Sequence, residues 1–290
     1  GTFQRLAYLN ESENIEILLY YLAKNYFRKF EDEKNVKVLC ENIFLESVKK
    51  IAESIGRIII SGFVHGVLNT DNFNVTGEMF DYGPWRFIDY ANSDFTAAYF
   101  DYNGRYSFGR QPEAALWALT QLGKSLKNFL SEEKIFEILN EFSKNFHLSL
   151  KKHFCWRLGL KEIDSESLNI MMKILLNESK KYKIDYASFF YDFYGGRDSV
   201  TDCLKSTYGN KYKFREFSPV IDIINKSLSN RISSEKKQLL ESKRENLLLS
   251  EVEKIWDRIS QHDDWTALNN KVTKLRALGD LLSSKELVNF

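Results

Sequence analysis

A chain of 290 residues with 43% hydrophobic and 28% charged side chains holds enough apolar material for a sizeable core. Only 3 prolines and 14 glycines argue against disorder and a turn-rich all-β chain, and 41 basic against 40 acidic side chains leave a formal charge of +1. A chain so balanced has no global field to draw in nucleic acid or an anionic membrane, so neither is expected as a partner.

Cys40, Cys155 and Cys203 lie far apart with no close pair, which excludes a disulfide framework and a cysteine zinc site and fits a reducing, cytoplasmic location. The apolar run Ile58-Ile59-Ile60 is far too short to span a bilayer. The first residues, Gly1-Thr2-Phe3, have neither signal nor transit composition and no Met, and the expectation is a chain truncated upstream.

In chain order, apolar residues at helical spacing predict an amphipathic helix over 14–27. A stronger helix follows over 41–61, with Ile43, Phe44, Val48, Ile51, Ile55, Ile58 and Ile59 as one stripe, and it runs into the glycines of Gly62-Phe63-Val64-His65-Gly66. Residues 62–112 carry the Pro, Gly, Asn and Asp punctuation and two short β-like runs, Phe73–Val75 and Glu78–Phe80. Helices are then expected over 113–130, 132–155, 165–183, 217–230, 234–261 and 265–283, the Lys- and Glu-rich 234–261 as a solvated helix packing one face on the body. The fold class is mainly α, with one hairpin inserted near residues 62–90.

The chemistry concentrates in His65-Gly66-Val67-Leu68-Asn69-Thr70-Asp71-Asn72, followed by Asp81-Tyr82-Gly83. If Thr76-Gly77 forms a two-residue turn, Asn72 stands opposite Asp81, where Cβ atoms are about 5 Å apart. An amide oxygen and a carboxylate would converge there on a hard cation such as Mg2+, or Mn2+, whose remaining positions go to water and phosphate. A bulge would shift this pairing by one residue. Asp71 would face the other side, where a carboxylate can orient a substrate hydroxyl and accept its proton. Taken alone, an Asn-Thr-Asp-Asn cluster reads as a turn whose side chains cap the backbone, and His65 as a buried, hydrogen-bonded structural residue.

Helix, His-Gly, Asp/Asn loop, hairpin and Asp-x-Gly is the order of protein kinase-like catalytic lobes, yet Val67 stands where an ordinary kinase has its acid. With the acid displaced to Asp71, the segments HGVLNTDN (65–72), DYGP (81–84) and GRYSFGRQPEAALW (104–117) resemble the selenoprotein O (YdiU) family. The resemblance is clearest from residue 1 to about residue 130 and weaker around Arg157–Leu160 and Phe189–Gly196.

The resemblance implies a kinase-like C-terminal lobe over 1–130 with a helical extension over 131–290. It implies a protein adenylyltransferase that moves AMP from ATP to protein Ser, Thr or Tyr hydroxyls. Asp71 would be the proton acceptor, Asn72 and Asp81 the metal ligands, and Asp81 would also lie against the nucleotide phosphates. The family's glycine-rich loop, phosphate-binding lysine and arginines have no counterpart here, so the chain by itself is expected to be inactive. Ser283–Glu286 lacks the redox-active Cys or selenocysteine tail of some members. A silent helical interaction module and a true phosphotransferase are the competing readings.

Overall fold

The computed structural model describes residues 1–229, 240 and 244–283. They are mainly helical, with one two-stranded sheet. The helices are α1 (Thr2–Tyr8), α2 (Ser12–Asn25), α3 (Val36–Ser61), α4 (Gln111–Ser125), α5 (Glu132–Leu158), α6 (Ser165–Glu178), α7 (Tyr186–Asp192), α8 (Arg197–Lys205), α9 (Ser218–Lys226), α10 (Leu249–His262) and α11 (Thr266–Ser283). Strands β1 (Phe63–Val64) and β2 (Arg86–Phe87) pair with each other. Among the described residues no helix is long and apolar enough to cross a membrane.

The chain divides into two compact units. One comprises Gly1–Ile60, Val64–Trp85 and Asp94–Leu150, and the other Ser61–Phe63, Arg86–Ser93 and Lys151–Phe290. The first is built on α3. Asn35 opens that helix, its Oδ1 accepting from the Lys37 and Val38 N–H groups at 3.0 and 3.4 Å, which starts the helix at Val36, ahead of the expected residue 41. Ile43, Phe44, Val48, Ile51, Ile55 and Ile59 of the predicted stripe are buried, and Ile58 is half-buried. Burying such side chains contributes roughly 1.5–3 kcal/mol each. At Gly56 the helix meets α5 so closely that an added Cβ would lie 2.4 Å from the Ser149 Oγ.

The second unit packs an aromatic core. Tyr186, Phe189, Phe190, Phe193, Tyr212 and Phe217 are buried, and several of these rings meet edge to face. The buried Asp192 carboxylate is satisfied by the Tyr212 hydroxyl at 2.7 Å, Lys211 Nζ at 3.0 Å and Arg244. Arg157 stacks on the Phe190 ring at 4.0 Å. This joins Arg157–Leu160 to Phe189–Gly196, two segments that sequence similarity marks separately.

The expected helix over 234–261 is not continuous. Residues 234–239 and 241–243 lie outside the described residues, residues 244–248 are non-helical, and α10 begins at Leu249. The interruption has a cause: the Glu245 carbonyl accepts from the Tyr191 hydroxyl at 3.1 Å, and Arg244 is drawn to Asp192. Tertiary hydrogen bonds there outweigh helical periodicity. The tail at Ser283–Glu286 also lies, from residue 284 onward, outside the described residues.

Candidate active site on the 65–84 hairpin

Both arms of the site belong to the first unit. Past Val64 the chain enters His65-Gly66, and Gly66 adopts φ +89°. An added Cβ there would lie 2.8 Å from the Pro84 Cγ and 3.2 Å from the Ala97 Cβ. Glycine is therefore required because Pro84 crosses directly over it. His-Gly and Asp-Tyr-Gly-Pro, separate in sequence, are in contact.

His65 is fully buried and uses both ring nitrogens. Nε2 lies 2.9 Å from the Phe80 carbonyl oxygen, and the Val67 N–H donates to Nδ1 at 3.4 Å. This pattern requires the neutral ring protonated on Nε2. Burial holds the imidazole pKa below the usual 6.5, against the opposing pull of the Phe80 carbonyl and the Asp81 charge. The structural, hydrogen-bonded role expected of His65 is what the geometry gives.

Asn69 shapes the next turn. Its Oδ1 accepts from the Asp71 and Asn72 N–H groups at 2.9 and 3.2 Å, so the capping reading of this cluster holds for Asn69. Asn72 is 4% exposed, and its Nδ2 donates to the Val67 carbonyl at 2.7 Å. That bond orients the amide and leaves Oδ1 without a hydrogen-bond donor among the described residues. Asp71 is different in kind: its side chain is 72% exposed, and Oδ1 lies 2.8 Å from the Gly1 amino nitrogen. Asp71 also lines a cavity of about 1180 Å³, together with Arg5, Leu22, Phe73, Phe80 and Leu122.

The hairpin register corrects the expected pairing. Phe73 bridges Met79 in antiparallel fashion, the Asn74 N–H donates to the Glu78 carbonyl at 2.9 Å, and the Phe80 N–H donates to the Asn72 carbonyl at 3.3 Å. Asn72 thus stands opposite Phe80, not Asp81. The turn has three residues, Val75-Thr76-Gly77, instead of two: the Gly77 N–H closes on the Asn74 carbonyl at 3.0 Å and Gly77 adopts φ +90°. A third turn residue of positive φ inserts one position into one arm and shifts every pair by one. Asp81 then follows the paired segment at φ +60°, a left-handed conformation that Asp tolerates better than most residues.

Asp81 is exposed and has no hydrogen bond or ion pair among the described residues. Among the described residues no three His, Cys, Asp or Glu side chains gather into a metal-binding group. The Asn72 Oδ1 on the first arm and the Asp81 carboxylate, one residue past the Asn72–Phe80 pair, are two oxygen donors at the open end of one hairpin. Such a donor set fits a hard cation that keeps most of its shell for water and phosphate, and it does not fit a thiolate- or imidazole-bound metal.

With the geometry in view, comparison with known proteins is decisive. The family model described as protein adenylyltransferase SelO matches residues 1–276. The chain belongs to the SelO family. The protein nucleotidyltransferase YdiU of Trichormus variabilis is 28% identical over 296 residues, covering 96% of this chain and 59% of that protein. The YdiU protein of Synechocystis sp. is 28% identical over 292 residues, covering 96% and 61%. That of Photobacterium profundum is 34% identical over 206 residues, covering 66% and 39%. The SelO-family chain therefore spans about three-fifths or less of the length of these relatives.

One buried polar residue next to the site is not singled out by the sequence motifs. Gln111, the first residue of α4, is fully buried, and its Oε1 accepts from the His65 N–H at 3.0 Å. It lies within the 104–117 signature, but 46 residues from its partner, and no local pattern signals the contact.

Proposed function

We propose that this chain forms the metal-gripping and base-bearing part of a kinase-like protein adenylyltransferase. The reaction is transfer of AMP from ATP to a protein Ser, Thr or Tyr hydroxyl. The observation that carries this reading is the open end of the hairpin: a fixed amide oxygen on one arm, an exposed carboxylate just past the other, and an exposed second acid beside the amide. Membership of the SelO family and relatives named protein nucleotidyltransferase support nucleotide transfer over the alternatives.

In this reading Asn72 and Asp81 hold Mg2+ or Mn2+ and Asp81 lies against the phosphates. When bound, the cation supplies neutralisation of charge developing on the phosphate oxygens. Asp71 orients the acceptor hydroxyl and takes its proton. The hydroxyl oxygen forms a bond to the α-phosphorus, the bond from that phosphorus to the bridging oxygen breaks, and pyrophosphate leaves. A positioned base contributes about 10²–10⁴-fold. The exposure of Asp71 is consistent with its role, because an acceptor presented by another protein must reach it.

The test uses the full-length protein with ATP labelled at either the α or the γ phosphate. The expected result is transfer of the α label, lost in Asp81→Ala and reduced by about 10²–10⁴-fold in Asp71→Asn. Equal α labelling by wild type and Asp81→Ala, or transfer of the γ label, would overturn the reading, the second in favour of a phosphotransferase.

A further inference from the structure

The hydrogen bonds around the hairpin close on themselves. The Val67 N–H donates to His65 Nδ1, Asn72 Nδ2 donates to the Val67 carbonyl, the Phe80 N–H donates to the Asn72 carbonyl, and His65 Nε2 meets the Phe80 carbonyl. The circuit contains one proposed metal ligand, Asn72, and the residue immediately before the other, Asp81. It is tied to the helical body by the Gln111 Oε1, which accepts from the His65 N–H at 3.0 Å.

Gln111 is an unusual residue for its place. A fully buried amide is costly unless its polar atoms are bonded, and an apolar side chain would start α4 without that cost. Its amide is used at both ends, since Nε2 also donates to the Phe108 carbonyl at 3.4 Å. His65 is the first residue beyond β1, so its N–H has left the strand and takes a side-chain acceptor instead. The amide of Gln111 thus serves the loop, 46 residues away, as well as the start of its own helix.

We propose that Gln111 is a positioning residue of the nucleotidyl-transfer site: by anchoring His65 it sets the spacing of the Asn72 and Asp81 arms without touching substrate. This rests on the functional reading above. Residues that orient metal ligands typically contribute about 10–100-fold to metal affinity or activity, and the effect expected here lies in that range.

The experiment compares full-length wild type with Gln111→Met, which keeps the length and removes the acceptor, and Gln111→Glu, which keeps an acceptor oxygen. Mn2+ affinity in the presence of ATP is read by electron paramagnetic resonance, and backbone amide exchange is read on metal-free protein. Gln111→Met is expected to weaken Mn2+ by about tenfold or more and to speed exchange over 64–81 while leaving α3 unchanged; Gln111→Glu recovers most of both. Should Gln111→Met not fold, Gln111→Asn, one methylene too short to reach, is read in the same way. Mn2+ affinity within about twofold of wild type, or exchange rising equally in α3, would reduce Gln111 to ordinary packing and overturn the proposal. If both readouts move but the wild type transfers no AMP, the reaction assignment fails and the positioning role stands.

Discussion

Replacing Gly77 by alanine tests the hairpin geometry most sharply. The substitution places a side chain at φ +90° and a Cβ 2.9 Å from the Lys50 carbonyl carbon, carbonyl oxygen and Cβ. A left-handed backbone costs a non-glycine L-residue roughly 1–2 kcal/mol. The clash adds about 1–3 kcal/mol, as overpacking does, because Lys50 lies within α3 and its backbone cannot withdraw without breaking helical hydrogen bonds. Together these predict a loss of about 2–5 kcal/mol in urea unfolding, with Gly77→Asn in between, since Asn tolerates the conformation but not the contact. A loss under about 0.5 kcal/mol for Gly77→Ala would show that the turn does not sit on α3, and the three-residue register would go with it.

Other consequences are independent of that one. Asp81→Asn keeps a residue suited to φ +60° and should leave stability within about 0.5 kcal/mol of wild type in the same unfolding assay while Mn2+ affinity falls by at least about tenfold. Burial pushes the Cys40, Cys155 and Cys203 thiols up to about 12, 11 and 12, so native protein at neutral pH should resist iodoacetamide at all three until denatured, as peptide mass spectrometry can check. At the turn between α10 and α11 the Thr266 hydroxyl and N–H, with Arg258, push the Asp264 carboxyl down from 3.8 to about 2. The turn's stabilisation is then full above 3.8 and lost as pH falls through about 2, and a carboxyl resonance titrating near 3.8 would contradict it.

Much of the helical body is legible in the sequence because its cause is local. The stripe from Ile43 to Ile59 is amphipathic over many turns, and its burial follows from its spacing. The expected helix over 165–183 is observed to Glu178, after which Lys183 at φ +53° and the Ser179 hydroxyl on the Ala91 carbonyl mark a turn. Helices α1 and α8 are illegible for the opposite reason. The first is a seven-residue helix that fully buries only Phe3, and the second opens on Gly196 with a polar sequence whose apolar face is just Val200, Cys203 and Leu204, too few turns to mark a helix by spacing.

At the candidate site the residue types were legible and the register was not. Asp71, Asn72 and Asp81 stand out by chemistry and order, whereas their relative placement depends on a single extra turn residue, Val75-Thr76-Gly77. That choice is settled by Gly77 seating on the Lys50 backbone, a contact invisible to a local reading. Gln111 was missed for a related reason: its meaning lies wholly in a partner 46 residues away.

The most direct test of the central claim is Mn2+ retention by the full-length protein with ATP, comparing wild type with the Asn72→Ala, Asp81→Ala double variant. If Asn72 and Asp81 grip the cation, the double variant releases it while still folding, its unfolding transition lowered only by the lost Asn72–Val67 bond and by alanine at φ +60°. A folded double variant that binds Mn2+ as tightly as wild type would place the metal elsewhere and contradict the account.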